Sequence, residues 1–293
     1  MLVGECSVMN IKESIKPYFK LFIVCIACVL CLFLISKLDD LVKVIALSSS
    51  NISMDIINKI QSIFEIIVEG FFAIFAILLF CYVDKRPLNT FGFIFSKEAR
   101  KITDYCVLIL IGLFILFISL AQSLLLVQLD IFYANLIKPI SILLTLASVF
   151  IASVGDEFLF RGYIFRSLKN NSILFAYIFS TLFFALVHLF FNRSSLLYFA
   201  NLLAFGILFA FVFQITESIW PSVIIHSAND FLYVILVGNL PGFSIFHFTI
   251  LISYQQWINI QKASYIGMSL AIIAFLILRT RIKYKNLNNF SKV

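Results

Sequence analysis

The amino-acid sequence predicts an all-α fold: a polytopic transmembrane helix bundle with about eight spanning helices. Three observations predict it. First, hydrophobic residues make up 62% of the 293-residue chain, charged residues only 13%, and the mean hydropathy is +1.06. A soluble domain carries roughly 25% charged residues and must keep a polar skin that this composition cannot supply. Second, the apolar residues fall in long uncharged runs. Residues 21–36 lie between Lys20 and Lys37, 105–129 between Asp104 and Asp130, 194–216 between Arg193 and Glu217, and 263–278 between Lys262 and Arg279. Third, the positive charge is one-sided. With the N-terminus inside, 16 of the 22 lysines and arginines fall on one side and 6 on the other, which places both termini in the cytoplasm of a cell (plasma) membrane protein.

Each span follows from these runs. About 20 apolar residues cross a bilayer, and flanking lysines snorkel to extend a shorter run. The spans centre near residues 28, 73, 116, 149, 181, 205, 229 and 270. The first run ends in Leu34-Ile35-Ser36-Lys37 without a small-residue cleavage pattern, so it reads as a retained anchor. Residues 37–62 are half apolar and read as an interfacial helix or an ordered loop. The chain divides into N-terminal spans with a basic cytoplasmic loop at 84–103 (residues 1–135), a core (136–240), and a C-terminal span with a basic tail (241–293), all one structural unit. The tail residues Arg279, Arg281, Lys283 and Lys285 suit anionic lipid. The net charge of +7 is therefore topological, and nucleic acid is not an expected partner.

Cys25, Cys28 and Cys31 have the spacing of a metal or redox motif but lie inside the first span, where cysteine serves as a small apolar residue. The costly groups are the ionisable ones at membrane depth, each carrying a penalty of about 2.5–3.5 kcal/mol. In the fourth-span region Asp156 and Glu157 are followed by Arg161. Glu157 and Arg161 share a helical face at i, i+4, and Asp156 points about 100° away. A solvated ion pair at a helix end is the competing reading. His188 ends the fifth span, where a lone histidine is ordinarily a packing residue. In the seventh span His226, Asn229 and Asp230 line one face. Buried acids with two histidines on separate helices are the inventory for general acid–base chemistry on water. Glu65 and Glu69, at i, i+4 in the second span, suit a cation or the same cavity, but read more simply as the frayed start of a helix.

These motifs resemble those of the CPBP family (CAAX proteases and bacteriocin-processing enzymes), which includes type II CAAX prenyl endopeptidases and lysostaphin-resistance-protein-A-like proteins. Residues 156–162 resemble its E-E-x-x-x-R-G motif, 184–188 its F-x-x-x-H motif, and 226–230 its H-x-x-x-N/D motif. The resemblance implies that Asp156 and His188 activate a water that attacks a peptide carbonyl. It also implies that His226 and Asp230 occupy the oxyanion positions and that Arg161 orients the acids. Asp156 stands where the motif usually has Glu, so either the helix compensates or Glu157 takes over. Asp230 stands where an amide is common. A carboxylate cannot donate, so either Asn229 donates or Asp230 holds His226 in one tautomer. Asp156, Glu157, His188 and His226 suit Zn²⁺ and suit a metal-free mechanism equally well.

The expected activity is intramembrane proteolysis. The enzyme would be a CAAX-type endopeptidase, a hydrolase cutting a peptide or membrane-protein substrate. The alternative is a non-catalytic relative that binds a peptide or partner, as in bacteriocin immunity. An ion-coupled transporter would use the same carboxylates, but inverted repeats are not evident.

Overall fold

The computed structural model describes residues 20–30 with scattered helical positions to 44, and 54–93, 139–191 and 196–237, together with Gly267 and Ala274. The described residues form helices and connecting loops, with no strand among them, as the all-α reading requires. Helix α1 covers Lys20–Leu30. Helix α2 (Met54–Leu78) runs on into a π-helical turn, Leu79–Val83, and a 3₁₀ turn at Leu88–Thr90. Helix α3 (Pro139–Glu157) passes into a second π-helix, Phe158–Phe165, and then into the short α4 (Arg166–Lys169). Helices α5 (Ile173–Phe191), α6 (Leu196–Thr216) and α7 (Trp220–Val237) complete the core.

Local chemistry sets the boundaries. Pro139 opens α3, where a missing N–H costs nothing. Ser172 Oγ accepts from Phe175 N at 3.3 Å and caps α5. Helix α6 ends where Glu217 takes a left-handed conformation, φ 52°, and Thr216 Oγ1 accepts from Ser218 N.

The π-helix Phe158–Phe165 is the axis of the packing, and every one of its residues is buried. Helix α2 packs on α3 and on this π-helix, α5 on α6, and α7 on both α3 and α6. Two glycines permit close approaches at the π-helix and between α5 and α6. A Cβ on Gly162 would sit 2.6 Å from the Phe91 ring, and one on Gly206 would sit 2.8 Å from Thr181 Cγ2. Phe91, from the loop after α2, thereby reaches beneath the π-helix, where it packs edge-on against Phe80 and Phe158. Hydrogen bonds to its carbonyls lock that loop in place: Ile219 N donates to Gly92 O at 3.0 Å, and the Trp220 indole Nε1 donates to Phe93 O at 3.2 Å.

Among the described residues, two helices are long and apolar enough to cross a bilayer: Ile66–Val83 (mean hydropathy 2.6) and Tyr198–Thr216 (2.0). The first presents Ile67, Phe71, Ile74 and Leu78 outward in a helical stripe, as a lipid-facing helix would. The second is mostly buried. Helices α3, α5 and α7, which carry the motifs of the site, are not among the two. The spans expected near residues 116 and 270 lie outside the described residues, apart from Gly267 and Ala274, and so do Cys31 and the basic tail. Two readings change. Helix α2 begins at Met54, so Glu65 and Glu69 sit well inside it and not at a frayed start. The segment after Glu157 is π-helical, not α-helical.

Candidate active site

Asp156 and Glu157 end α3, one residue before the π-helix begins. The helical repeat sends adjacent side chains in different directions, and here the two carboxylates meet different surroundings. Glu157 is completely buried. Its Oε1 accepts from Arg161 Nη1 at 3.2 Å and lies 3.1 Å from His226 Nδ1. Arg161, equally buried, also donates through Nη2 to Gly206 O at 3.1 Å. Its guanidinium lies over the Phe184 ring at 4.7 Å and the Phe209 ring at 5.3 Å. The expected Glu157–Arg161 pair is therefore present, and it is not a solvated pair at a helix end. A buried charge stays ionised only when it is paired and hydrogen-bonded in this way.

Asp156 faces the other side. Its Oδ2 lies 3.4 Å from His188 Nε2 and 4.0 Å from His226 Nε2. The two imidazoles, on α5 and α7, thus share one carboxylate oxygen of α3. His188 Nδ1 lies 2.9 Å from Phe184 O, four residues earlier. A carbonyl only accepts, so Nδ1 carries the proton and Nε2 is the nitrogen turned to Asp156. His226 lies flat against Phe209, centroids 4.7 Å apart. Both of its nitrogens face carboxylates: Nδ1 faces Glu157, and Nε2 faces Asp156 and Asp230, whose Oδ2 is 3.3 Å away.

Asn229 Nδ2 donates to Asp230 Oδ1 at 2.9 Å. Of the two arrangements the sequence left open for this motif, the structure has Asp230 against His226 and the Asn229 amide engaged by Asp230. The seven residues singled out, Asp156, Glu157, Arg161, His188, His226, Asn229 and Asp230, form one connected cluster. Asp156, His188 and Asp230 keep 17%, 27% and 40% of their side-chain surface exposed among the described residues.

The four metal candidates are arranged differently. Glu157 Oε1 is turned to Arg161 and His226 Nδ1, whereas His226 offers Asp156 its other nitrogen. Among the described residues, no group of three or more His, Cys, Asp and Glu side chains is placed to hold a metal ion.

The sequence did not single out Gly155 and Gly206. A Cβ on Gly155 would sit 2.6 Å from Glu69 O and 2.9 Å from Glu69 Oε2. Glu69 therefore lies against α3 one residue before the acid pair, and α2 packs there at backbone distance. Gly206 supplies the carbonyl that fixes Arg161. The available signal was the glycine itself, inside an otherwise bulky apolar run.

Residues 138–232 match a family model described as type II CAAX prenyl endopeptidase Rce1-like. The chain carries an Rce1-like domain of the CPBP family. That family is membrane-embedded and is a protease family. The matched segment runs from the start of α3 into α7 and contains all seven site residues. No curated protein matches the chain. Within the Rce1-like domain, the three sequence motifs lie on α3 with its π-helix, on α5 and on α7, and they meet at Asp156.

Proposed function

We propose that the protein is a CAAX-type intramembrane endopeptidase that hydrolyses a peptide bond of a membrane-associated protein or peptide with a water activated by Asp156 and His188. One observation carries this reading: Asp156 Oδ2 stands between the Nε2 atoms of two histidines, on the exposed side of an otherwise buried polar cluster.

A water beside Asp156 and His188 Nε2 gives up its proton to that pair as its oxygen attacks the carbonyl carbon. His188 is held for this by the carbonyl of Phe184, which keeps Nδ1 protonated and Nε2 available. The proton then passes to the leaving amine, so the pair ends as it began. The negative charge on the former carbonyl oxygen needs a donor. His226 satisfies carboxylates on both sides only with a proton on each nitrogen, and its Nε2–H, shared with the Asp230 carboxylate, is that donor. Glu157 and Arg161 hold His226 from behind. Asp230 keeps its Nε2 directed toward the reaction centre, and Asn229 fixes Asp230.

Asp156, although shorter than the usual glutamate, reaches His188 directly. That favours catalysis over the reading as a non-catalytic peptide-binding or bacteriocin-immunity protein. The eight-span topology with both termini cytoplasmic belongs to the same proposal. It is supported by the meeting, at one end of the bundle, of four segments assigned to the inside: Lys20, Asp84–Arg86, Arg166–Lys169 and Glu217. The test is a cleavage assay on purified full-length protein with membrane-tethered candidate peptides, wild type beside His188→Ala. Cleavage by wild type alone supports the reading. Equal cleavage by both proteins, or cleavage by neither across the peptide set, removes it.

A further inference from the structure

At the end of the bundle away from the acid pair, four cations from three elements meet two acids. Lys20 of α1 lies 3.7 Å from Asp84 and donates to Val83 O at 3.1 Å. Ser167 Oγ donates to the other Asp84 oxygen at 3.1 Å. Lys169 lies 3.6 Å from Glu217. Arg86 Nη1 reaches Arg166 O at 3.5 Å, and Arg166 Nη2 reaches Glu217 O at 3.4 Å.

Two features set this cluster apart from a solvated charged face. First, among the described residues neither guanidinium has a carboxylate within ion-pair distance; each donates to a backbone carbonyl and lies over an aromatic ring, Phe80 for Arg86 and Phe213 for Arg166. Among the described residues, Arg166 Nε is buried and makes no hydrogen bond. The guanidiniums are thus fixed in place, with Glu217 acting on Arg166 electrostatically but no carboxylate of the described residues paired directly with either. Burial, and then the neighbouring Arg166, hold the Lys169 ammonium below its usual range, partly offset by Glu217. Second, the cluster stands where the two long apolar segments end. The two long apolar segments end at Val83 and Thr216, immediately before Asp84 and Glu217. Tyr82, with 77% of its surface exposed, lies at the same level, where aromatic residues with a polar tip collect.

We infer that Arg86, Arg166, Lys169 and Lys20 form a binding site for a phosphate monoanion or diester, occupied in the membrane by the headgroup of an anionic phospholipid. Four cations against two acids leave an excess charge that one or two phosphate charges neutralise. Arginine in a rigid setting is suited to the planar, bidentate contact that phosphate oxygens offer, and basic pockets between helices at this level hold lipid headgroups. The site ties the loop after α2 to α4, directly below the π-helix. It does not depend on the proposed chemistry, because binding is read without substrate.

The test uses the full chain in nanodiscs of phosphatidylcholine containing about a tenth phosphatidylglycerol, with lipid retention read by native mass spectrometry after detergent transfer. Wild type is expected to retain phosphatidylglycerol over phosphatidylcholine. Arg86→Gln and Lys169→Gln should each lower that retention about fivefold. Arg86→Lys should keep most of it, and Lys37→Gln, which alters an exposed pair with Asp40, should leave it unchanged. Displacement of the lipid by millimolar inorganic phosphate supports recognition of the phosphate group. Binding of inorganic phosphate without lipid retention would reassign the site to a free anion and overturn the lipid assignment. Equal phosphatidylglycerol retention by wild type, Arg86→Gln and Lys169→Gln would overturn the proposal.

Discussion

The two halves of the site hold similar residues in opposite surroundings. Glu157, Arg161 and His226 are enclosed, with 0%, 0% and 4% of their surfaces exposed, among Phe184, Phe209 and the carbonyl of Gly206. Asp156, His188 and Asp230 stand at the open side. The sharpest contrast is between two consecutive carboxylates. Glu157 has its Oε1 engaged by an arginine and a histidine ring, while Asp156 Oδ2 faces two imidazoles. The helical repeat, not residue type, assigns these fates. On the proposed mechanism the enclosed half holds His226 and the open half moves protons.

Substitutions can break that division. The largest effect is expected in the open half. Asp156→Asn and His188→Ala should each lower peptidase activity by about 10²–10⁴-fold, with little change in thermal stability, because both groups are partly exposed. Asp156→Glu should preserve activity or raise it, since the carboxylate gains reach toward the same water. Next comes the enclosed half. Glu157→Gln leaves Arg161 buried against a neutral partner, which should cost about 3–5 kcal/mol of stability. Folded protein assayed below its melting point should stay within about tenfold of wild-type activity, far from a general-base loss. A stable but inactive Glu157→Gln variant would exchange the roles of the two acids.

A smaller effect is expected from Gly162→Ala, whose new methyl would meet the Phe91 ring. Overpacking of this kind costs about 1–3 kcal/mol, and thermal unfolding in detergent would measure it. The smallest concerns Asp230→Asn. An amide can still accept from His226 Nε2–H, so activity should change by less than about tenfold. A larger loss would give Asp230 a direct part in proton transfer.

Much of the site could be read from spacing because helices make spacing geometric. Glu157 and Arg161 at i, i+4, and His226 with Asp230 at i, i+4, are neighbours in the structure. The cost of ionisable groups at membrane depth was the reason to expect the separate motifs to converge, and they do so at Asp156. Which carboxylate would be enclosed was less legible. The i+4 spacing paired Arg161 with Glu157, but nothing local showed that His226 Nδ1 would also turn to Glu157. The π-helix was not legible at all, since an i, i+5 pattern over Phe158–Phe165 leaves no distinct apolar period in a segment buried on every side. The loop after α2 was read as a charged connection. Its Phe91 and Phe93 instead pack beneath the π-helix, through a gap that Gly162 keeps open. Long-range packing of this kind depends on which helices adjoin, and single-sequence periodicity does not carry that information.

The division between the two halves is tested most directly by Asp156→Asn in purified, folded protein, with peptide cleavage and thermal unfolding measured on the same preparation. The account predicts loss of cleavage by about 10²-fold or more with an unfolding temperature close to that of wild type. Full cleavage by Asp156→Asn, with the protein equally stable, would contradict it.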